Sequence, residues 1–283
     1  MRYPFRIINV FTVDGDRLSG NPLCVFEDAR GLSDAQMQGL ARQMNLSETT
    51  FVLPSERATA RVRIFTPGFE MPFAGHPTLG TAHVVRSLRN AGNSIVLEEK
   101  AGLVPVTADG DRWTLRAAKP PATAKPSATR AQIAAMLGLD ETAVAGDPLW
   151  VNTGSEQLVI PLATADDVRR AAPNAELVAQ HGYQPGGREA MAYVWAREAG
   201  NELVVRFFFT QHGAIVEDPA TGSACANLGG FFIATNAALP LAANLRQGEA
   251  VMRPSHLGLR VDADRGIYVS GNVVELGAGS FDV

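Results

Sequence analysis

Apolar and polar positions alternate along much of this chain, in short runs of the kind that form β-strands. Arg61-Val62-Arg63-Ile64-Phe65-Thr66, Ile95-Val96-Leu97-Glu98 and Trp113-Thr114-Leu115-Arg116 predict antiparallel sheet with one face buried. Helical periodicity is confined to a few places. Ser33 is an N-cap residue ahead of Asp34–Met44, where Met37, Leu40, Ala41 and Met44 share one helical face. Its counterpart is Thr164 before residues 165–172, ended by Pro173. A further helix is predicted after Pro77, turning Leu79, Ala82, His83 and Leu88 inward and stopping at Gly92. Another runs from about Ala224 through Phe232.

The pattern repeats. A shift of 143 residues superposes Val62 on Val205, Arg63 on Arg206, Phe65 on Phe208 and Thr78 on Thr221. The same shift places Asn9 on Asn152 and Thr50-Phe51-Val52 on Tyr193-Val194-Trp195. Gly20-Asn21-Pro22-Leu23-Cys24-Val25-Phe26 matches Gly154-Ser155-Glu156-Gln157-Leu158-Val159-Ile160, displaced by a few residues. A period of half the chain length means two copies of a domain rather than a solenoid. Each half reads as α+β, a sheet wrapped on a central helix. The halves are expected at 1–118 and 128–265, with the Pro- and Ala-rich segment 119–127 as linker and a final strand from residue 266 onward.

Composition narrows the function classes. The 283 residues are 46% hydrophobic and 19% charged, with a formal net charge of −4 and no run of five like charges. Neither a nucleic acid nor an anionic membrane is an expected partner. Two cysteines, Cys24 and Cys225, cannot make a disulfide framework, so a cytoplasmic protein is expected. His76 and His83 are seven apart, and His181, His212 and His256 are scattered, so no metal site is predicted. The glycine-rich segments 182–187 and 271–279 lack the strand–loop–helix context of a nucleotide site and read as turns.

Two loop-to-helix junctions, one per half, are the candidate sites. The first carries Gly75 and His76; the second carries Asp218, Thr221, Gly222 and Ser223. A helix N-terminus offers backbone N–H groups and a positive dipole end, so such a pair suits a small anion. The competing reading is ordinary capping, with Pro77 at the first helical position and Asp218 or Thr221 as cap. Glu48 stands where a helix ends and a strand begins, between Ser47 and Thr49. A carboxylate drawn into an apolar setting has a raised pKa and suits proton transfer near neutrality.

The strings Ile8-Asn9-Val10-Phe11-Thr12, Gly20-Asn21-Pro22, Ser47-Glu48-Thr49, Pro72-Phe73-Ala74-Gly75-His76-Pro77-Thr78-Leu79-Gly80 and Glu217-Asp218-Pro219-Ala220-Thr221-Gly222-Ser223-Ala224 resemble the signature segments of the PhzF-like (phenazine-biosynthesis) family, in that family's order. The resemblance implies two similar domains of the diaminopimelate-epimerase type, related by a pseudo-twofold axis with the site between them. It implies a homodimer and neither metal nor organic cofactor. By the same resemblance Glu48, His76 and Asp218 are catalytic, and Ser47, Gly75, Gly222 and Ser223 bind the substrate. The implied reaction is an isomerisation of a small, dihydro-hydroxyanthranilate-like carboxylate, with Glu48 carrying the proton between carbons. An epimerase with another base pair, or a non-catalytic small-molecule-binding protein on the same scaffold, stays open. A paired-thiol racemase is disfavoured, because the first junction has no cysteine. The loops at 14–19, 153–156 and 211–215 are the expected specificity elements.

Overall fold

The alternating runs form strands, and most extend beyond the residues that the alternation marks. The structure, a computed structural model, describes residues 1–117, 119–183, 190–211 and 213–283. It divides into two units, Met1–Arg116 with Ser270–Val283, and Ala117–Val269. His212 and most of the expected turn at 182–187 lie outside the described residues, as does Ala118 at the expected end of the first half.

The first unit runs β1 (Arg2–Thr12), β2 (Asn21–Phe26), α1 (Asp34–Met44), β3 (Thr49–Leu53), β4 (Ala60–Phe65), β5 (Glu70–Met71), α2 (Gly75–Arg89), β6 (Ser94–Glu99), β7 (Gly102–Asp109) and β8 (Arg112–Arg116). β2 lies parallel to β3 and β4 parallel to β6, while β1–β2, β3–β4, β6–β7 and β7–β8 are antiparallel. Each parallel pair needs a crossover, which α1 and α2 supply. Ser33 caps α1 in a full capping box with Gln36, and Asn45 ends it in the left-handed conformation at φ 52°. α2 is the core helix, buried continuously from Gly75 through Ala82. Gly80 lets it press on the sheet: a Cβ there would meet the side chains of Ile8, Leu23 and Val10 at 2.7–2.9 Å.

The second unit begins with β9 (Ala122–Ala124), α3 (Arg130–Met136), β10 (Leu149–Asn152), β11 (Glu156–Pro161), α4 (Ala165–Arg170) and α5 (Ala175–His181). It continues with β12 (Met191–Ala199), β13 (Glu202–Gln211), β14 (Ala214–Asp218), α6 (Gly222–Ala234), β15 (Leu241–Gln247) and β16 (Ser255–Val261). β11–β12 and β13–β15 are the parallel pairs, and α6 is the buried central helix. β17 (Ile267–Asp282) supplies residues 270–282 to the first unit, where it pairs antiparallel with β1.

The repeat is carried into the register. Across β3 and β4, Thr50 faces Ile64, Phe51 faces Arg63 and Val52 faces Val62. Across β12 and β13, Tyr193 faces Phe207, Val194 faces Arg206 and Trp195 faces Val205, each residue 143 further on. A slip of one residue would reverse every side chain, so the shared register is a shared inward face. Arg63 is held by Glu70 and stacks 5.0 Å from the Phe65 ring; Arg206 is held by Glu217 and stacks 4.7 Å from Phe208. Both units are α+β, an antiparallel-rich sheet around one helix.

Several expectations need correction. The glycines at 271–279 are not turns but lie within β17. A Cβ on Gly271 would meet Phe11 Cδ1 at 2.2 Å, and one on Gly279 would meet Phe5 Cζ at 2.7 Å, so these glycines admit aromatic rings against the strand. Segment 119–127 is not free chain throughout: Ala122–Ala124 pairs with β10. Of residues 211–215, Gln211 ends β13 and Ala214 and Ile215 open β14, where Thr210 faces Ile215. α2 begins at Gly75, ahead of Pro77, and ends at Arg89; α6 begins at Gly222. No helix among the described residues is long and apolar enough to cross a membrane.

Candidate active site

Because α2 starts at Gly75, its N-cap is Ala74, which has no polar side chain to bond the first-turn N–H groups. Pro77 therefore sits at the third helical position, two deeper than capping alone predicts, and the amides of Gly75 and His76 are left for another acceptor. The His76 side chain is 5% exposed. Burial pushes its pKa down to about 3, against a hydrogen bond to the Pro22 carbonyl that acts the other way, so the imidazole is neutral. Nε2 makes no hydrogen bond among the described residues, so Nδ1 carries the proton that reaches Pro22. Nε2 is thus an acceptor. The buried Oε2 of Glu48 lies 3.6 Å from it. That separation exceeds a hydrogen bond, and with a neutral ring it is not an ion pair. Glu48 occupies the residue between the α1 turn and β3, where Thr49 and Thr50 are both fully buried. Ser47 precedes it, exposed, with Oγ 3.4 Å from Asn21 Oδ1.

A second carboxyl group stands behind the same helix turn. Thr78 Oγ1 lies 2.6 Å from the Ala74 carbonyl and 2.7 Å from Glu99 Oε1. A hydroxyl has one proton, and a carbonyl can only accept. Thr78 is the donor in both contacts, its one proton shared between the Ala74 carbonyl and Glu99 Oε1. Burial pushes the Glu99 pKa up to about 8, against the Thr78 hydrogen bond that acts the other way, so Glu99 is the carboxylic acid near neutral pH. Its Oε2 has no hydrogen bond among the described residues, tolerable for a neutral acid and costly for an anion.

The second junction is built from amides. Asp218 closes β14 and accepts from Thr221 Oγ1 at 2.5 Å. Thr221 is the N-cap of α6, but its hydroxyl is committed to Asp218 and makes no cap bond, so Thr221 does not cap this helix through its side chain as the sequence pattern suggests. Gln247, 1% exposed, clamps the loop: Nε2 donates to the Asp218 carbonyl and to Thr221 Oγ1, and Oε1 accepts from the Thr221 N–H. Gly222 and Ser223 open the helix, and Ser223 Oγ accepts from Gln157 Nε2 at 2.9 Å.

The first unit thus holds Ser47, Glu48, Gly75 and His76 around the start of α2, and the second holds Asp218, Gly222 and Ser223 around the start of α6. Glu99, Gln157, Asn227 and Gln247 are additions that the motifs do not mark. Two of them had a signal. Period-2 alternation through Ile95 and Leu97 points Glu99 inward, and through Ala243 and Leu245 it points Gln247 inward. The cysteines carry no chemistry: burial pushes Cys24 up to about 12 and Cys225 higher still. Neither supplies a thiolate. Among the described residues no three His, Cys, Asp or Glu side chains form a metal-ligating group.

The phenazine biosynthesis-like protein (PhzC-PhzF) family model matches residues 8–279. The chain belongs to the PhzC-PhzF family. Among curated members, an uncharacterized isomerase of Pasteurella multocida is 38% identical over 99% of this chain and 94% of its own. A trans-2,3-dihydro-3-hydroxyanthranilate isomerase of Pseudomonas aeruginosa is 34% identical, covering 94% of each chain. The crystal structure of a PhzF-family protein of Bacillus anthracis shares the fold, with a TM-score of 0.86 over all of both chains at 22% identity. The chain is an isomerase of this PhzF type.

Proposed function

We propose that this isomerase moves a proton between carbon atoms of a small carboxylate resembling dihydro-hydroxyanthranilate, with Glu48 as the shuttle. The observation that carries the reading is the buried Glu48 Oε2 standing 3.6 Å from the acceptor nitrogen of a neutral His76 at the uncapped start of α2. Glu48 removes the proton from the substrate carbon and becomes a carboxylic acid. Its O–H then has an acceptor in Nε2 of His76, which holds the proton until it is returned to a second carbon. One group working as both base and acid accounts for the shift without a second base.

Gly75 at the start of α2, and Gly222 and Ser223 at the start of α6, are hydrogen-bond donors suited to a substrate carboxylate. N–H and O–H groups aimed at a carboxylate stabilise the dienolate-like charge that builds as the carbon loses its proton. Asp218, fixed by Thr221 and Gln247, orients a polar substituent, and Ser47 borders the pocket. Both cysteines are free thiols, which supports the expectation of a reducing, cytoplasmic setting.

Steady-state assay with trans-2,3-dihydro-3-hydroxyanthranilate tests the reading. The wild type is expected to turn it over, and Glu48→Gln to lower kcat by about 10²–10⁴. No turnover by the wild type would remove this substrate class. Turnover by the variant within about threefold of wild type would remove Glu48 as the shuttle, a step worth far more than that.

A further inference from the structure

Behind Ser223 lies a chain of buried amides whose proton positions can be counted without ambiguity. The count starts at Asn227, which is fully buried. Its Oδ1 accepts from the Thr153 backbone N–H at 2.9 Å, and a backbone N–H can only donate. Its Nδ2 donates to the Ser155 carbonyl at 2.8 Å, and a carbonyl can only accept. Turning the amide over would set donor against donor and acceptor against acceptor, so Asn227 has one orientation.

The second proton of Nδ2 goes to Gln157 Oε1 at 2.8 Å. That fixes Gln157 in turn, with its NH₂ end toward Ser223 Oγ at 2.9 Å. Gln157 is 1% exposed and has no aqueous alternative. Ser223 is therefore the acceptor in this contact. Its own hydroxyl proton is not used by Gln157, and Ser223 is partly exposed at the first turn of α6.

We propose that Gln157 is a positioning residue that occupies one lone pair of Ser223 Oγ and leaves its proton for an acceptor on the ligand, which favours a carboxylate at the α6 N-terminus. The inference rests on the reading that Ser223 touches the substrate. A carboxamide fits poorly for the same reason that a carboxylate fits well. Its C=O can take the Ser223 proton, but its NH₂ would then face helix N–H groups, which only donate, and a buried donor without an acceptor costs more than the lost bond. Gln157→Glu reverses the arrangement in the same shape. The new carboxylate accepts the Ser223 proton and takes it away from the ligand.

Calorimetric binding of anthranilate and of its neutral counterpart 2-aminobenzamide tests this with wild type, Ser223→Ala, Gln157→Glu and the double variant. The wild type is expected to bind anthranilate about tenfold or more tightly than the amide, the worth of one charge-assisted hydrogen bond. Ser223→Ala and Gln157→Glu are each expected to lose about tenfold for anthranilate, and the double variant no more than Ser223→Ala alone, because both changes act through one proton. Lowering the pH until the introduced carboxylate is protonated is expected to restore anthranilate binding in Gln157→Glu but not in the double variant, a recovery that a merely structural role would not give.

If Ser223→Ala binds anthranilate like wild type, or wild type does not bind it, the reading of Ser223 as a substrate contact fails, and the inference with it. If Ser223→Ala is weakened while Gln157→Glu is not, or the two losses add, only the positioning role fails. Should Gln157→Glu not fold, Gln157→Met serves in the same cycle. Its loss is expected to vanish in the Ser223→Ala background, and additivity there would overturn the inference.

Discussion

The starts of α2 and α6 occupy equivalent places in the two units, yet the side chains supporting them differ in kind. Behind α2 stand groups that gain and lose protons: Glu48, the neutral His76 and the protonated Glu99. Behind α6 stand amides that cannot titrate: Gln157, Asn227 and Gln247. The strand framework is the same down to the register of β3–β4 and β12–β13. The division of labour therefore lies in a handful of residues placed on a duplicated scaffold. At one end titratable side chains stand together, and at the other amides hold Asp218 and Ser223 in place.

Removing the titrating character of the first end should have the largest effect. His76→Gln keeps a hydrogen-bonding side chain but presents no imidazole nitrogen to Glu48, and kcat is expected to fall about 10²-fold in steady-state assays. A comparable fall from Gln157→Met would erase the distinction between the two ends. Next in size is the loss of an amide clamp. Gln247→Leu strips partners from the Thr221 N–H and the Asp218 carbonyl, and urea titration is expected to show a loss of about 1–3 kcal/mol. An unchanged midpoint would mean that loop 218–221 holds itself.

The smaller effects appear in the pH dependence of stability, and they too should separate the ends. Glu99 has a folded pKa raised to about 8 from an ordinary 4.5, so the folded state binds the extra proton between those values. Its contribution is fully present below about pH 4.5 and is lost as pH rises to about 8. Glu99→Gln, which can still accept from Thr78, is expected to flatten that decline in thermal melts. His76 works in the opposite sense. Its folded pKa is depressed to about 3 from 6.5, so stability is lost as pH falls through that window, and His76→Gln is expected to flatten the acid side. Gln157→Met should leave both slopes unchanged.

Much of this was legible in the chain because it depends on local pattern. Ser33 and the face of Met37, Leu40 and Ala41 gave α1 its bounds, and Glu48 fell between a helix end and a strand start as the pattern requires. The echo at 143 residues held because strand register follows alternation. What depended on partners distant in sequence was not legible. Asn227 bonds Thr153 and Gln157 across separations of 74 and 70 residues, and no periodicity marks such a bond. The start of α2 was misplaced because Pro77 suits a first helical position, while the helix is entered earlier through an Ala74 that caps nothing. The glycines near the end of the chain read as turns because glycine punctuates loops. In β17 they instead make room for the rings of Phe11 and Phe5. Glu99 could have been found, since its strand already alternated; what alternation cannot supply is its protonation state, which follows from the depth of its burial.

The central claim is that Glu48 carries the proton from carbon to carbon. Its most direct test is a single turnover of trans-2,3-dihydro-3-hydroxyanthranilate in deuterium oxide, read by mass spectrometry, with wild type and Glu48→Gln. Wild type is expected to place deuterium on carbon at a rate matching product formation, and the variant to place none on that timescale. Deuterium entering carbon in the variant as fast as in wild type would contradict the assignment of Glu48.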